Sequence, residues 1–199
     1  MIGAIVLAAG LSRRMGTQKL LLPFGGASMI AHIVDQVLAS VVEQVIVVVG
    51  RDGEAIEEAL GWRSVTIVTN PAPDSEMLDS VRCGLRALPE ECKAALVALG
   101  DQPAITANTI NEMAQAFLAS GRGIVMPVHE GRRGHPLLFS LRFRDEVLTQ
   151  YDDTGLRWLL HAHPDEVYEL SFADPGVIAD VDLPEDYRRA LEAHQPPSP

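Results

Sequence analysis

Short apolar runs rich in β-branched residues recur along this chain, and stretches of helical period separate them. Ala4–Leu7, Val45–Val49, Val65–Val68, Ala95–Leu99 and Ile124–Val128 read as buried strands. Met29, Ile33, Val37 and Val41 repeat at helical spacing, as do Leu78, Val81, Leu85 and Leu88. Ile110, Met113, Ala114 and Phe117 repeat in the same way, with Thr106 placed as N-cap and Gly121 as stop. Strands alternating with helices need both faces of a sheet covered. The expected class is therefore α/β, a doubly wound, mostly parallel, three-layer sheet.

The pattern changes after Val128. His129-Glu130-Gly131-Arg132-Arg133-Gly134 reads as a hairpin loop leading into Leu137–Ser140, so at least one antiparallel strand is expected. A helix from about Thr154 to His161 and a strand near Val167–Leu170 follow, and Pro184 opens a last helix to about Ala193. With no repeat and no linker, residues 1–193 are expected to form one domain, and the polar, Pro-rich 194–199 a disordered tail. Cys83 and Cys92 lie in no paired motif, which favours reduced thiols. No charged leader precedes the first strand and no apolar run reaches membrane length, so the expected setting is soluble and cytoplasmic.

Gly3 to Gly26, GAIVLAAGLSRRMGTQKLLLPFGG, carries the densest chemistry. The chain has a net charge of −11, yet no acidic residue appears before Asp35. A basic opening on an acidic protein reads as a local anion site rather than a nucleic-acid surface. In open parallel sheets ligands lie beyond the carboxyl ends of the strands, and the Gly10 turn follows the first strand. Backbone N–H groups of such a turn can point at phosphate oxygens, with Arg14 and Lys19 adding full charges. The spacing is neither that of a P-loop nor G-x-G-x-x-G. A solvated basic loop is the plainer alternative for each basic residue taken singly.

Two acidic segments answer this loop. Gly100-Asp101-Gln102-Pro103 ends a strand, which places Asp101 at the same sheet edge as Gly10; the alternative is a turn started by Asp101. Magnesium takes hard carboxylates, usually one or two. Later, Asp182 with Glu185 three residues on, and Pro184 between them, is a helix-capping arrangement that needs no ligand. Asp180, two residues earlier in an extended segment, projects to the same side as Asp182.

The opening A-x-x-L-A-A-G-x-S-x-R-M-G-x-x-K-x-L-L-P resembles that of the MobA-like nucleotidyltransferases, and more narrowly their MocA-like branch, the molybdenum cofactor cytidylyltransferases. The resemblance runs from Gly3 to about Tyr187 and implies a Rossmann-like nucleotidyltransferase fold. It implies that Leu7, Ala8, Ala9, Gly10, Ser12, Arg14 and Lys19 hold the nucleotide, with Arg14 and Lys19 on its phosphates. G-D-Q-P matches the metal-binding G-D-x-P, which makes Asp101 a ligand of Mg²⁺. Ala179–Tyr187 resembles D-I-D-T-P-x-D, with Asp182 the first choice of second ligand and Asp180 the second. Asn70-Pro71 and Met77–Arg82 resemble a segment near the base, where Asn70 and Ser80 match and Glu76 stands in place of a frequent glycine. Gly134-His135-Pro136 and Thr154-Gly155-Leu156-Arg157 resemble segments lining the second substrate, through His135 and Arg157.

The activity so implied is magnesium-dependent transfer of CMP from CTP to the phosphate of a molybdopterin-type acceptor, with release of pyrophosphate. The Ala8-Ala9-Gly10 and Pro23 variants favour the cytidine branch over the guanosine branch. An ionised phosphate nucleophile needs no Ser, Cys or His triad, so catalysis by Arg14, Lys19 and Asp101 rests on positioning and charge neutralisation. Two alternatives stand beside it: a nucleotidyltransferase for sugar-1-phosphates or another phosphate acceptor, and a non-catalytic nucleotide-binding protein serving a molybdenum hydroxylase.

Overall fold

The computed structural model describes residues 1–10, 18–50, 53–72, 76–152 and 154–194. Its strands are β1 (Ile2–Ala8), β2 (Pro23–Phe24), β3 (Ala27–Ser28), β4 (Gln44–Val49), β5 (Thr66–Thr69), β6 (Ala94–Leu99), β7 (Ile124–His129), β8 (Arg132–Arg133), β9 (Leu137–Ser140) and β10 (Val167–Ser171). Its α-helices are α1 (Met29–Leu38), α2 (Gly53–Leu60), α3 (Met77–Ala87), α4 (Ala107–Ser120), α5 (Arg144–Thr149), α6 (Trp158–Ala162) and α7 (Pro184–His194).

The main sheet runs β10-β7-β9-β6-β1-β4-β5, with β8 paired to β7. β1 lies parallel to β4 on one side and to β6 on the other. The chain passes from β1 out to β4 and β5, then returns to place β6 on the opposite flank of β1. Strand order therefore reverses at β1, and a crevice opens beyond the carboxyl ends of β1 and β6. β9 is antiparallel to both β6 and β7, as the hairpin loop requires, and β10 returns parallel to β7.

Alternation along each strand sends side chains to two cores. Ala4, Val6, Val47 and Leu96 pack with Met29, Ile33, Ile56, Ile110 and Met113, under α1, α2 and α4. Ile5, Ile46 and Val97 pack with Leu78, Val81, Leu85, Val147 and Leu159, under α3, α5 and α6. The result is the α/β three-layer arrangement read from the alternation, mostly parallel with antiparallel strands toward one edge.

Thr106 caps α4 by accepting from Thr109 N at 3.2 Å, and Gly121 ends it in the left-handed region at φ 68°. Elsewhere the boundaries move. α1 stops at Leu38, and Val41 lies beyond it at 52% exposure, so the helical spacing overruns the helix by chance. Val65 lies just outside β5. The helix expected over 154–161 is confined to Trp158–Ala162, because Gly155 at φ 73° sits in a conformation incompatible with a right-handed helix. α2 and α5 were not legible: α2 buries only Ile56 and Leu60, and α5 only Val147. His194, assigned to the tail, belongs to α7 and packs its ring 4.7 Å from Phe24 and 4.8 Å from His32. The rest of that tail lies outside the described residues. Among the described residues no helix is long and apolar enough to cross a membrane.

Candidate functional site

The site begins where β1 and β6 end side by side. Gly100 N donates to Leu7 O at 2.9 Å, and a Cβ on residue 100 would lie 2.7 Å from that same carbonyl. Only glycine lets the strands come this close, so Asp101 leaves β6 directly beside the end of β1. The 180–182 segment is fastened to the same edge, since Val181 N donates to Asp101 O at 2.9 Å. Val177 and Val181 sink into the core on either side of Ala179 and Asp180, anchoring this loop.

Lys19 opens a short 3-10 turn, Lys19–Leu21, whose Leu20 is buried in the core beneath it. Its ammonium reaches both acidic segments. Nζ donates to Asp101 Oδ2 at 2.7 Å, to Val181 O at 2.8 Å and to Asp182 Oδ1 at 3.0 Å. Lys19 is only 8% exposed. Burial disfavours the ammonium, but the hydrogen bonds and charges of Asp101 and Asp182 outweigh it and hold the Lys19 pKa above the usual lysine range. Two carboxylates from distant segments thus meet around one cation at the strand-order reversal.

The capping arrangement expected of Asp182 and Glu185 takes another form. Asp186 Oδ2 accepts from Asp182 N at 3.1 Å and Leu183 N at 2.8 Å, so Asp186 satisfies the start of α7. The Asp182 carboxylate is directed to Lys19 instead. Asp180 is set differently: its Oδ1 accepts from Gln102 Nε2 at 2.6 Å. Burial pushes the Asp180 carboxyl above its ordinary range, opposed by the Gln102 bond and reinforced by the negative charges of Asp101 and Asp182. The two late acids share an edge but not an environment.

His135 borders this cluster. Its backbone N donates to Val177 O at 2.9 Å, and its peptide bond to Pro136 is cis. Burial pushes the imidazole pKa down, against the nearby Asp180 and Asp101 carboxylates. Asn70 follows β5 at the same end of the sheet. Its Nδ2 donates to Ser80 Oγ at 2.9 Å, and both residues are buried. Glu76, at the position where a glycine is frequent, is exposed and caps α3 without a side-chain hydrogen bond. Leu7 and Ala8 close β1, and Ala9 and Gly10 follow it directly. Arg157 is not gathered into the cluster: it is exposed, and its Nε donates to Thr154 O at 3.2 Å within its own loop. Ser12 and Arg14 lie outside the described residues.

Two buried polar residues escaped the sequence reading. Gln102 is 2% exposed beneath Asp180. An amide flanked by Asp101 and Pro103 is itself a polar signal in the sequence. Arg82 is buried on α3, donating from Nε to Val147 O at 3.0 Å, from Nη2 to Gln150 O at 2.6 Å and from Nη1 to Asp152 Oδ1 at 2.5 Å. Its spacing from Leu78 and Leu85 already placed it on the inner helix face. Among the described residues no group of three or more His, Cys, Asp or Glu is arranged to hold a metal ion. The carboxylates of Asp101 and Asp182 are the donor class that magnesium takes when phosphate oxygens and water complete its shell.

A parallel sheet with charged side chains gathered over its point of strand-order reversal is the layout of an α/β protein that binds its ligand there. Residues 4–167 match the MobA-like NTP transferase domain, and the chain belongs to that family. It is 27% identical to the molybdenum cofactor cytidylyltransferase of Escherichia coli (strain K12) over 194 residues, 97% of each chain. It is also 28% identical to the nicotine blue oxidoreductase of Paenarthrobacter nicotinovorans, across 96% of each chain. The crystal structure of Rv0371c from Mycobacterium tuberculosis superimposes with a TM-score of 0.82 at 30% identity, over 96% of this chain and 98% of that one. A complex of Rv0371c with manganese superimposes with a TM-score of 0.79.

Proposed function

We propose that this protein is a magnesium-dependent cytidylyltransferase that moves CMP from CTP to the terminal phosphate of a molybdopterin-type acceptor in the cytoplasm. The observation that carries the proposal is the meeting of Lys19 with Asp101 and Asp182 at the carboxyl ends of β1 and β6. Cationic and anionic groups converging there suit a polyanion accompanied by a divalent cation. The E. coli relative, matched over nearly its whole length, supports the choice of CTP and pterin, and the manganese complex of Rv0371c supports the divalent ion.

An oxygen of the acceptor phosphate attacks the α-phosphorus in line, and the bond to the bridging oxygen of pyrophosphate breaks. That oxygen is already ionised, so the chain supplies no base. Lys19 and Arg14 neutralise the polyphosphate, the glycine turn at Gly10 orients it, and Asn70 and Ser80 border the base. His135 borders the acceptor, whereas Arg157, exposed outside the acidic cluster, is assigned to the acceptor by the family resemblance alone. Magnesium held by Asp101 and an acid of the 180–182 segment would supply charge neutralisation between phosphate oxygens. The product would serve a molybdenum hydroxylase as client.

Pyrophosphate release with each of the four ribonucleoside triphosphates, Mg²⁺ and molybdopterin tests the proposal. Release with CTP and molybdopterin is the expected result. Release only with hexose-1-phosphates selects a sugar-nucleotide enzyme, and triphosphate binding without any release selects a non-catalytic protein. A redox assay with nicotine blue on the same preparation tests the activity named for the Paenarthrobacter relative.

A further inference from the structure

We propose that Lys19 is an exchangeable counter-ion, which occupies the acidic pair until a triphosphate arrives and which a divalent metal must displace. The inference deepens the proposed function and rests on its metal reading. Asp101 and Asp182 belong to segments far apart in sequence, yet each places a carboxylate oxygen within 3.0 Å of the same Nζ. Without a cation between them, two carboxylates converging on so small a volume would repel each other. Lys19 removes that repulsion by standing between the two carboxylates.

The same contact sets up a competition. The oxygens that hold Lys19 are those that would hold magnesium, and an ammonium and a divalent ion at one point repel each other. Lys19 therefore has to change partner. Its ammonium is a compact charge on a four-carbon stem, so it can trade carboxylate oxygens for phosphate oxygens with little backbone movement, which the planar fork of arginine does less readily. A triphosphate brings the new partner for Lys19 and the remaining ligands for the ion together. The acidic pair is in this way shielded from metal alone and opened to metal with nucleotide.

Binding of Mn²⁺ and of tripolyphosphate, each measured alone, tests the exchange. Lys19→Met keeps the length of the stem and removes the charge. The expected result is Mn²⁺ affinity raised about tenfold or more by electron paramagnetic resonance titration, in the absence of nucleotide. Tripolyphosphate affinity, measured calorimetrically in EDTA, should fall by about tenfold. Opposite signs are diagnostic, since a Lys19 that merely held the loop in shape would weaken both. Lys19→Gln, which still hydrogen-bonds a carboxylate, is measured in parallel in case Lys19→Met does not fold, and the same signs are expected.

Equal Mn²⁺ affinity in wild type and variant overturns the exchange while leaving the metal reading intact. Tighter Mn²⁺ binding that survives Asp101→Asn in the Lys19→Met background places the ion elsewhere and also overturns it. Failure of every form to bind Mn²⁺, with or without CTP, overturns the metal reading and the exchange with it.

Discussion

Gln102 lies beneath Asp180 and donates from Nε2 to its Oδ1 at 2.6 Å, although 78 positions separate them. The other end of the same amide, Oε1, is buried with no hydrogen-bond partner among the described residues. A buried amide oxygen without a donor costs free energy, so the bond to Asp180 has to offset it. Gln102→Ala should destabilise the protein by about 1–3 kcal/mol, through the lost bond and the space left behind. Urea unfolding monitored by circular dichroism checks this; an unchanged midpoint would mean that Gln102 does not hold the 180–182 segment.

Asp101→Asn should reduce pyrophosphate release by about 10²–10³ or more while the fold persists. The amide keeps the shape of the side chain, and Lys19 retains Asp182 and Val181 O as partners. A stability loss of about 1–2 kcal/mol is expected, since Asp101 is partly open to solvent. Turnover at the wild-type rate, with a correctly folded variant, removes Asp101 from the mechanism.

Arg82 fastens α3 to the end of α5 and the residues just after it, through the carbonyls of Val147 and Gln150 and the Asp152 carboxylate. Arg82→Met preserves most of the buried stem and leaves those carbonyls without their donor. The expected loss is about 2–4 kcal/mol, with faster amide hydrogen exchange over 147–152 than in the central sheet. Exchange that accelerates uniformly across the protein would show that Arg82 stabilises the whole rather than this segment.

Glu146 accepts a hydrogen bond from the Tyr151 hydroxyl and lies 2.9 Å from His163 Nε2. Burial alone would raise its pKa, but the Tyr151 bond and the imidazole outweigh it and hold the carboxyl below the usual glutamate range. Protonation is therefore harder in the folded state than in the unfolded one. The stabilisation is fully present above the unfolded glutamate value of about 4.3 and is lost as pH falls through the lower folded value. Glu146→Gln should flatten the decline of the urea midpoint below about pH 4.5; a decline as steep as that of the wild type would show that Glu146 does not contribute to it.

The strand and helix alternation was legible in the residues themselves, because a two-residue period in strands and a 3.6-residue period in helices are local properties of the chain. Thr106, Gly121 and the hairpin after His129 were legible for the same reason. α2 and α5 were not, since helices so short carry too few buried positions to show a period. The end of the helix begun near Thr154 depended on the backbone conformation of Gly155, which composition does not reveal.

At the site, the sequence determined which chemical groups were on offer: a basic opening segment, Asp101 at a strand end, and two acids before the last helix. Only the tertiary structure decided who meets whom. Lys19 lies between two carboxylates because β6 returns to the far side of β1 and Val181 N pairs with Asp101 O. Asp180 and Asp182, two residues apart on one edge, meet different partners, Gln102 for one and Lys19 for the other. Such contacts follow from long-range strand pairing, in which the free energy depends on residues that share no local period. A carboxylate's partner is settled by the fold, and its presence by the chain.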